Sequence, residues 1–403
     1  MQSATIVHDH SPAGSQVSTR TSAMRILMGP DVQMSLVLAA VGFHLGSLGV
    51  VMVLLAEDLG MAVSSLAWMG SIYGIGLLIA AVLGPTALRY GVHRMLAMCT
   101  GLAALGFTLL AMAPTIELVV LGAGMQALGS AGTMLVIPTL LTGPTADIRI
   151  TRANALASAM GVMSPLLVGA MIAGGMNGRL SLLGAAVPMA VVCAVAAFRA
   201  RTTGHDPAPT IAVGTLPGSG NPPISVVGRR MLAITFAVAA EFSFVVWAVM
   251  RLVEAGLSTG LAATVGAAFP IGMAVGRTGG SWVIAHLPAV RVGASLATAG
   301  TLLVVVGASW PTIGTGLLLA GLGIATLYPV TLVRLMNVPG LSASAGASLG
   351  ALSSGTAITL APAALAALGG MVDLRFAFLA VLPLLATLVL LHGKESRAAR
   401  TPA

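Results

Sequence analysis

Few residues in this sequence sit where they could do chemistry. Glu241 and Arg277 are charged residues embedded in long apolar runs, where nearly every neighbour is aliphatic, aromatic or glycine. An ionisable group in such surroundings faces a wet cavity or a partner, because burying a bare charge is costly. Glu241 lies ~16 Å from the start of its run at 1.5 Å per residue, and Arg277 ~14–21 Å from the end of the next. If the two runs are adjacent antiparallel helices, both groups reach similar depth and can pair. Glu241 could then take up and release a coupling proton, while Arg277 could bind an anionic substrate and free the carboxylate. A permanent structural pair between two helices is the alternative reading.

Around Glu241 the helical period of about 100° per residue places Phe244 and Arg251 on one side, with Trp247 flanking them. An acid beside aromatic surface suits an amphipathic or cationic organic substrate. The other reading is a packed helix whose Arg251 reaches the outer interface. His44 and Gln126 are the candidates in the first half of the chain: a histidine can share proton duty, and either can tie two helices by a hydrogen bond. Tyr73 and Tyr328 could present flat rings and polar tips to a substrate, or serve as interface anchors. There is no phosphate-loop pattern for ATP. His8-Asp9-His10 is too short and too isolated to define a metal site, and Cys99 and Cys193 each lie within an apolar run. No metal and no cofactor is expected.

The elements that must hold these residues follow from composition. Of 403 residues 57% are hydrophobic and only 7% charged, with a mean hydropathy of +1.01. A water-facing exterior cannot be built from so few charges, which excludes soluble enzymes and nucleic-acid binders despite the net charge of +8. The lipid bilayer is the solvent. Runs long enough to cross ~30 Å of hydrocarbon fall at about 33–56, 65–84, 94–113, 115–138, 153–174 and 180–199, and again at about 231–253, 260–286, 291–309, 312–335, 342–368 and 373–392. Residues 1–32 read as a disordered tail, 33–199 as one six-helix bundle, 200–230 as a Pro/Gly/Ser-rich linker, 231–392 as a second bundle and 393–403 as a second tail. Counting Lys and Arg in the short loops puts fifteen on the side of the N-terminus against Arg179, Arg251 and Arg375 opposite. That bias places both termini and the linker in the cytoplasm of a multi-pass protein of the inner (plasma) membrane.

The halves repeat. Gly76 and Gly84 in span two match Gly272 and Gly280 in span eight. Gly132 and Pro138 in span four match Gly323 and Pro329 in span ten. Pro165 and Pro362 in spans five and eleven are each followed by a double glycine. Parallel six-helix repeats of this kind are used by secondary transporters. Small residues let helices approach and slide, and a proline frees a backbone carbonyl inside a span, so Pro165 and Pro362 are candidate flexing points.

Between spans two and three the chain reads Gly84-Pro-Thr-Ala-Leu-Arg-Tyr-Gly-Val-His-Arg94. This resembles the loop signature of the major facilitator superfamily, with Gly84, Arg89, Gly91 and Arg94 at matching or neighbouring positions. Leu88 stands where that signature has an Asp, and Val92 where it has a basic residue. The resemblance extends over the twelve spans and the six-plus-six division. It implies an all-α membrane protein of two pseudo-symmetric six-helix bundles, with Gly84, Arg89, Gly91 and Arg94 forming a gating loop. It also implies a monomeric secondary transporter that moves a small-molecule substrate by alternating access between the bundles. Coupling to protons is expected from Glu241 and His44, and export of a hydrophobic or cationic solute is favoured over uptake of a metabolite or organic anion. The contrasting expectations are an intramembrane enzyme, for which clustered acids or histidines are missing, and a transport-inactive sensor on the same fold.

Overall fold

The computed structural model describes residues 29–140, 146–202 and 222–398. Among them there is no β-strand, and twelve helices are long and apolar enough to cross a membrane. The tail up to residue 28, most of the linker (203–221) and residues 399–403 lie outside the described part, and with them His8-Asp9-His10.

In the first half, α1 spans Pro30–Leu59, α2 Trp68–Ala87, α3 Val92–Met112, α4 Ile116–Leu140, α5 Ala146–Ala173 and α6 Leu183–Thr202. In the second half, α7 is Ile224–Glu254, α9 Ala289–Val306 and α11 Ala343–Met371. Three helices are interrupted. Span eight, α8, runs Thr259–Gly266 and resumes as Ala268–His286; span ten, α10, runs Trp310–Ile324 and resumes as Leu327–Met336; α12 begins with the short turn Leu374–Ala377 and continues as Val381–Ala398. Prolines explain the first two breaks. Pro270 has no N–H to offer the carbonyl of Gly266, nor Pro329 that of Ala325, so the ladder opens four residues upstream of each. Pro165 and Pro362, in contrast, lie within unbroken helices.

Helix ends follow local chemistry. Pro30 starts α1 at a position where its missing N–H costs nothing, and Asp31 in the first turn complements the helix dipole. Gly91 enters α3 at φ +99°, a conformation that glycine adopts without a Cβ penalty. Ser342 caps α11 by accepting from the N–H of Ala345.

The two halves pack by one scheme. In the first, α3 lies on α4 and α6, α2 on α4, and α1 on α5 and α6; in the second, α9 lies on α10 and α12, α8 on α10, and α7 on α11 and α12. Glycines make the closest seams. A Cβ on Gly106 of α3 would stand 2.6 Å from the Gly122 carbonyl of α4, and one on Gly300 of α9 would stand 2.5 Å from the Gly316 carbonyl of α10. Gly76 meets the Ala127 carbonyl across α2 and α4, as Gly272 meets that of Leu318 across α8 and α10. In the α3–α4 seam the partner of Gly323 is Gly129, which packs on Ala103 as Gly323 packs on Ala297. The spacing that matched Gly132 with Gly323 is therefore three residues out of register; Gly132 abuts Cys99 instead.

The bundles meet through α2 against α11, α5 against α8 and α1 against α7. These contacts gather toward the end away from the chain termini. Gly70 closes on Pro362 and Val246, Gly260 on Ile172, and Gly49 on the Val246 carbonyl, while Thr259 at the start of α8 donates to the Glu57 carboxylate at the end of α1. Toward the terminal end, α5 shows exposed residues at Asn154, Ala155, Leu156 and Ala159, and α8 at Arg277, Thr278 and Gly279. The bundles touch at one end and part toward the other.

Candidate substrate and coupling site

Where the bundles part, Arg277 of α8 makes two contacts in opposite directions. Its Nη2 lies 3.3 Å from Glu241 Oε1 on α7, within its own bundle. Its Nη1 donates to Ser158 Oγ on α5 of the other bundle at 3.1 Å. The Glu241 side chain is 17% exposed and that of Arg277 43%, so the pair sits at the wall of an accessible cleft and is not sealed in a core. Tyr328, half-buried at the start of the second piece of α10, lies near Ser354 of α11, whose Oγ donates to the Gly350 carbonyl, and within electrostatic reach of Glu241. Five helices thus bring polar groups to one place. Two of these groups, Ser158 and Ser354, escape a sequence reading, because a lone serine in a span bonds its own helix as readily as another residue.

The remaining candidates are placed elsewhere. His44 is 2% exposed inside the first bundle, its ring 5.1 Å from that of Phe107 on α3, and its Nδ1 has no hydrogen-bond partner. Gln126 is buried in the α3–α4 seam and donates to Ser130 one turn along its own helix. Tyr73 is buried in α2. Phe244 is fully buried, stacked on Phe269 of α8 and tilted against Phe378 of α12 at 5.2 Å each. Trp247 is buried and donates its Nε1–H to the Pro362 carbonyl of α11 at 3.2 Å. The expected aromatic wall beside Glu241 is thus a core layer of the second bundle. A period read on one helix shows which residues share a side, not which side faces the cleft.

Arg251 and Arg179 also differ from their reading as outer-interface charges. Arg251 is 4% exposed, donating its Nε to the Val304 carbonyl at 3.3 Å and its Nη2 to that of Gly307 at 2.7 Å, at the end of α9. Arg179 is 5% exposed and donates to the carbonyls of Leu110 (2.9 Å) and Ala113 (2.6 Å) at the end of α3, and to Asp58 Oδ2 at 2.8 Å. Both satisfy orphan carbonyls at a helix C-terminus, where the dipole also favours a cation. In the α2–α3 turn Arg89 and Arg94 are exposed, and α2 continues past Gly84 to Ala87. Among the described residues no group of three or more His, Cys, Asp or Glu side chains could hold a metal ion.

Twelve helices in two repeated bundles, meeting at a cleft that holds a charged pair, define a membrane transporter architecture. The sequence matches the profile of the Major Facilitator Superfamily over residues 34–355, and the chain belongs to that family. It is a multi-pass membrane protein with a small-molecule substrate. No curated protein matches the sequence. Solved structures share the fold at low identity. A POT family transporter in complex with 5-aminolevulinic acid superposes with a TM-score of 0.74 at 11% identity, covering 94% of this chain and 97% of that one. A mutant of the nucleoside transporter NupG gives 0.69 at 14%, covering 89% and 98%. The peptide transporter POT in complex with sulfate gives 0.68 at 15%, covering 91% and 95%.

Proposed function

We propose that the chain is a proton-coupled secondary transporter that exports a small organic solute by alternating access, with Glu241 as the proton-carrying group and Arg277 as its switchable partner. The two-way contact of Arg277, to Glu241 in one bundle and Ser158 in the other, carries this reading. With Glu241 ionised, the guanidinium is held by its own bundle while it reaches across the cleft. Protonation of Glu241 removes the ionic attraction and frees an arm of Arg277 for substrate or for movement of α8 relative to α5. A carboxylate lining a cleft in a transporter can exchange its proton with one side of the membrane at a time. Residues 33–199 and 231–392 act as the two rocking bodies. The fifteen-to-three distribution of Lys and Arg supports a cytoplasmic location for both termini in the plasma membrane; the cleft then opens to the cytoplasm, and the protein works as a monomer.

Thermal shift with a panel of lipophilic cations, organic anions, nucleosides, short peptides and 5-aminolevulinic acid identifies ligands of the folded state. Each hit is then followed in sealed proteoliposomes under an imposed pH gradient. The expected result is gradient-driven movement that Glu241→Gln abolishes while exchange down a concentration gradient persists. Gradient-driven flux unchanged in Glu241→Gln removes Glu241 from the coupling. A ligand that binds but is never moved favours a sensor.

A further inference from the structure

A second cavity lies on the flank of the first bundle. It is a groove of about 580 Å³ between α2, α3 and α4, within the range of about 300–1,000 Å³ typical of ligand sites. Ile79, Leu83, Met98, Leu105, Leu128 and Leu135 form much of its wall, and no charged, hydroxyl or amide side chain lines it. The glycine seams border it. α2 meets α4 at Gly76, and α3 meets α4 at Gly129, and Gly101 and Gly132 are among the residues that line the groove.

The groove faces away from the transport cleft. α2 turns Gly70 and Gly74 toward α11, whereas Ile79, Ala80 and Leu83 stand about 100–160° round the helix from Leu78, which packs on Gly355 of α11. Ile79, Leu83, Met98, Leu105 and Leu128 are exposed, so the groove opens toward the surrounding lipid. Its mouth adjoins the α2–α3 turn. There Arg89, Tyr90 and Arg94 are all exposed, and the residue after Arg94, Met95, is already part of the wall. Residues 88–95 contain no acid.

We propose that this groove is a binding site for an anionic phospholipid of the leaflet at the terminal end, with one acyl chain between α2, α3 and α4 and the phosphate on Arg89 and Arg94. An apolar slot without hydrogen-bonding groups cannot orient a polar solute, but it can take a hydrocarbon tail. Two exposed guanidiniums beside an exposed tyrosine ring at the membrane surface supply the complementary head-group contacts. Only the naming of that leaflet as cytoplasmic depends on the topology proposed above.

The test is lipid binding to the purified, delipidated full-length protein by native mass spectrometry, with phosphatidylglycerol, phosphatidylcholine and the tail-less head group glycerophosphoglycerol. The expected order is phosphatidylglycerol over phosphatidylcholine, with the head group alone far weaker. Replacing Arg89 and Arg94 by Gln should lower phosphatidylglycerol affinity about fivefold per arginine and erase the preference over phosphatidylcholine. The groove-filling Ala97→Trp should weaken both lipids alike, with a melting temperature check that the variant is folded. Equal affinity for the two lipids in the unaltered protein, or phosphatidylglycerol binding unchanged by the arginine pair of substitutions, overturns the proposal. So does a head group that binds as tightly as the whole lipid. The measurement reads binding alone, so it stands or falls separately from the transport reading.

Discussion

The two bundles meet the same need at their far ends with cations from different helices. In each, one helix ends with carbonyls that must be satisfied: Leu110 and Ala113 at the end of α3, Val304 and Gly307 at the end of α9. The first bundle uses Arg179, from the turn before α6, and ties it to Asp58 at the end of α1. The matching position before α12 also holds an arginine, Arg375, introduced by the same turn: Asp373 accepts from the Arg375 N–H as Asn177 accepts from that of Arg179. Arg375 nevertheless lies over the ring of Phe376, and the carbonyls of α9 are taken by Arg251 of α7. The fold thus dictates that a cation be there, not which helix supplies it. In the second bundle that cation rides on the helix that also carries Glu241.

Removing the cations tests this comparison most strongly. Arg179→Ala strands Asp58 and two carbonyl acceptors, and should cost about 3 kcal/mol by loss of charge-assisted hydrogen bonds. Arg251→Ala should cost about 2 kcal/mol, and Arg375→Ala well under 1 kcal/mol, all read as denaturation midpoints in detergent. If Arg375→Ala proves as damaging as Arg251→Ala, the assignment of capping roles in the second bundle is wrong. The glycine seams come next. Gly106→Ala and Gly300→Ala should each destabilise by about 1–3 kcal/mol by overpacking, and by similar amounts, since the two seams are related by the repeat. A large disparity would show that the bundles are less alike in energy than in shape. The smallest effect belongs to the bridge between bundles. Ser158→Ala removes one interhelical hydrogen bond, worth about 0.6 kcal/mol in membrane proteins. It should barely move the midpoint while shifting the balance of cleft-open and cleft-closed forms roughly threefold. Distances between spin labels on α5 and α8 would report that shift, and an unchanged distribution would take Ser158 out of the gating contact.

Much of the fold was legible because a bilayer leaves a coarse imprint: a crossing helix must be long and apolar, and all twelve runs appear as helices. Boundaries moved where helices outrun the hydrocarbon. α7 begins at Ile224, a full turn before Arg229 and Arg230, although its apolar run starts near 231. The charged pair was legible for the opposite reason, since charges stand out against an aliphatic background. Phe244, Trp247, His44 and Gln126 were not, because their side of the helix meets neighbours that only the tertiary packing defines. Arg179 and Arg251 were hidden by their position near span ends, where an arginine in water and one capping a helix look alike in sequence.

The geometry at Arg277 sets a limit on substitution. A planar fork can hold a carboxylate with one tine and a hydroxyl with the other, but an ammonium group is a single point at the end of a flexible stem. A lysine at this position would gather its three N–H donors at one point and fit the spread of these two acceptors less well, loosening the link between the charged pair and the other half of the molecule.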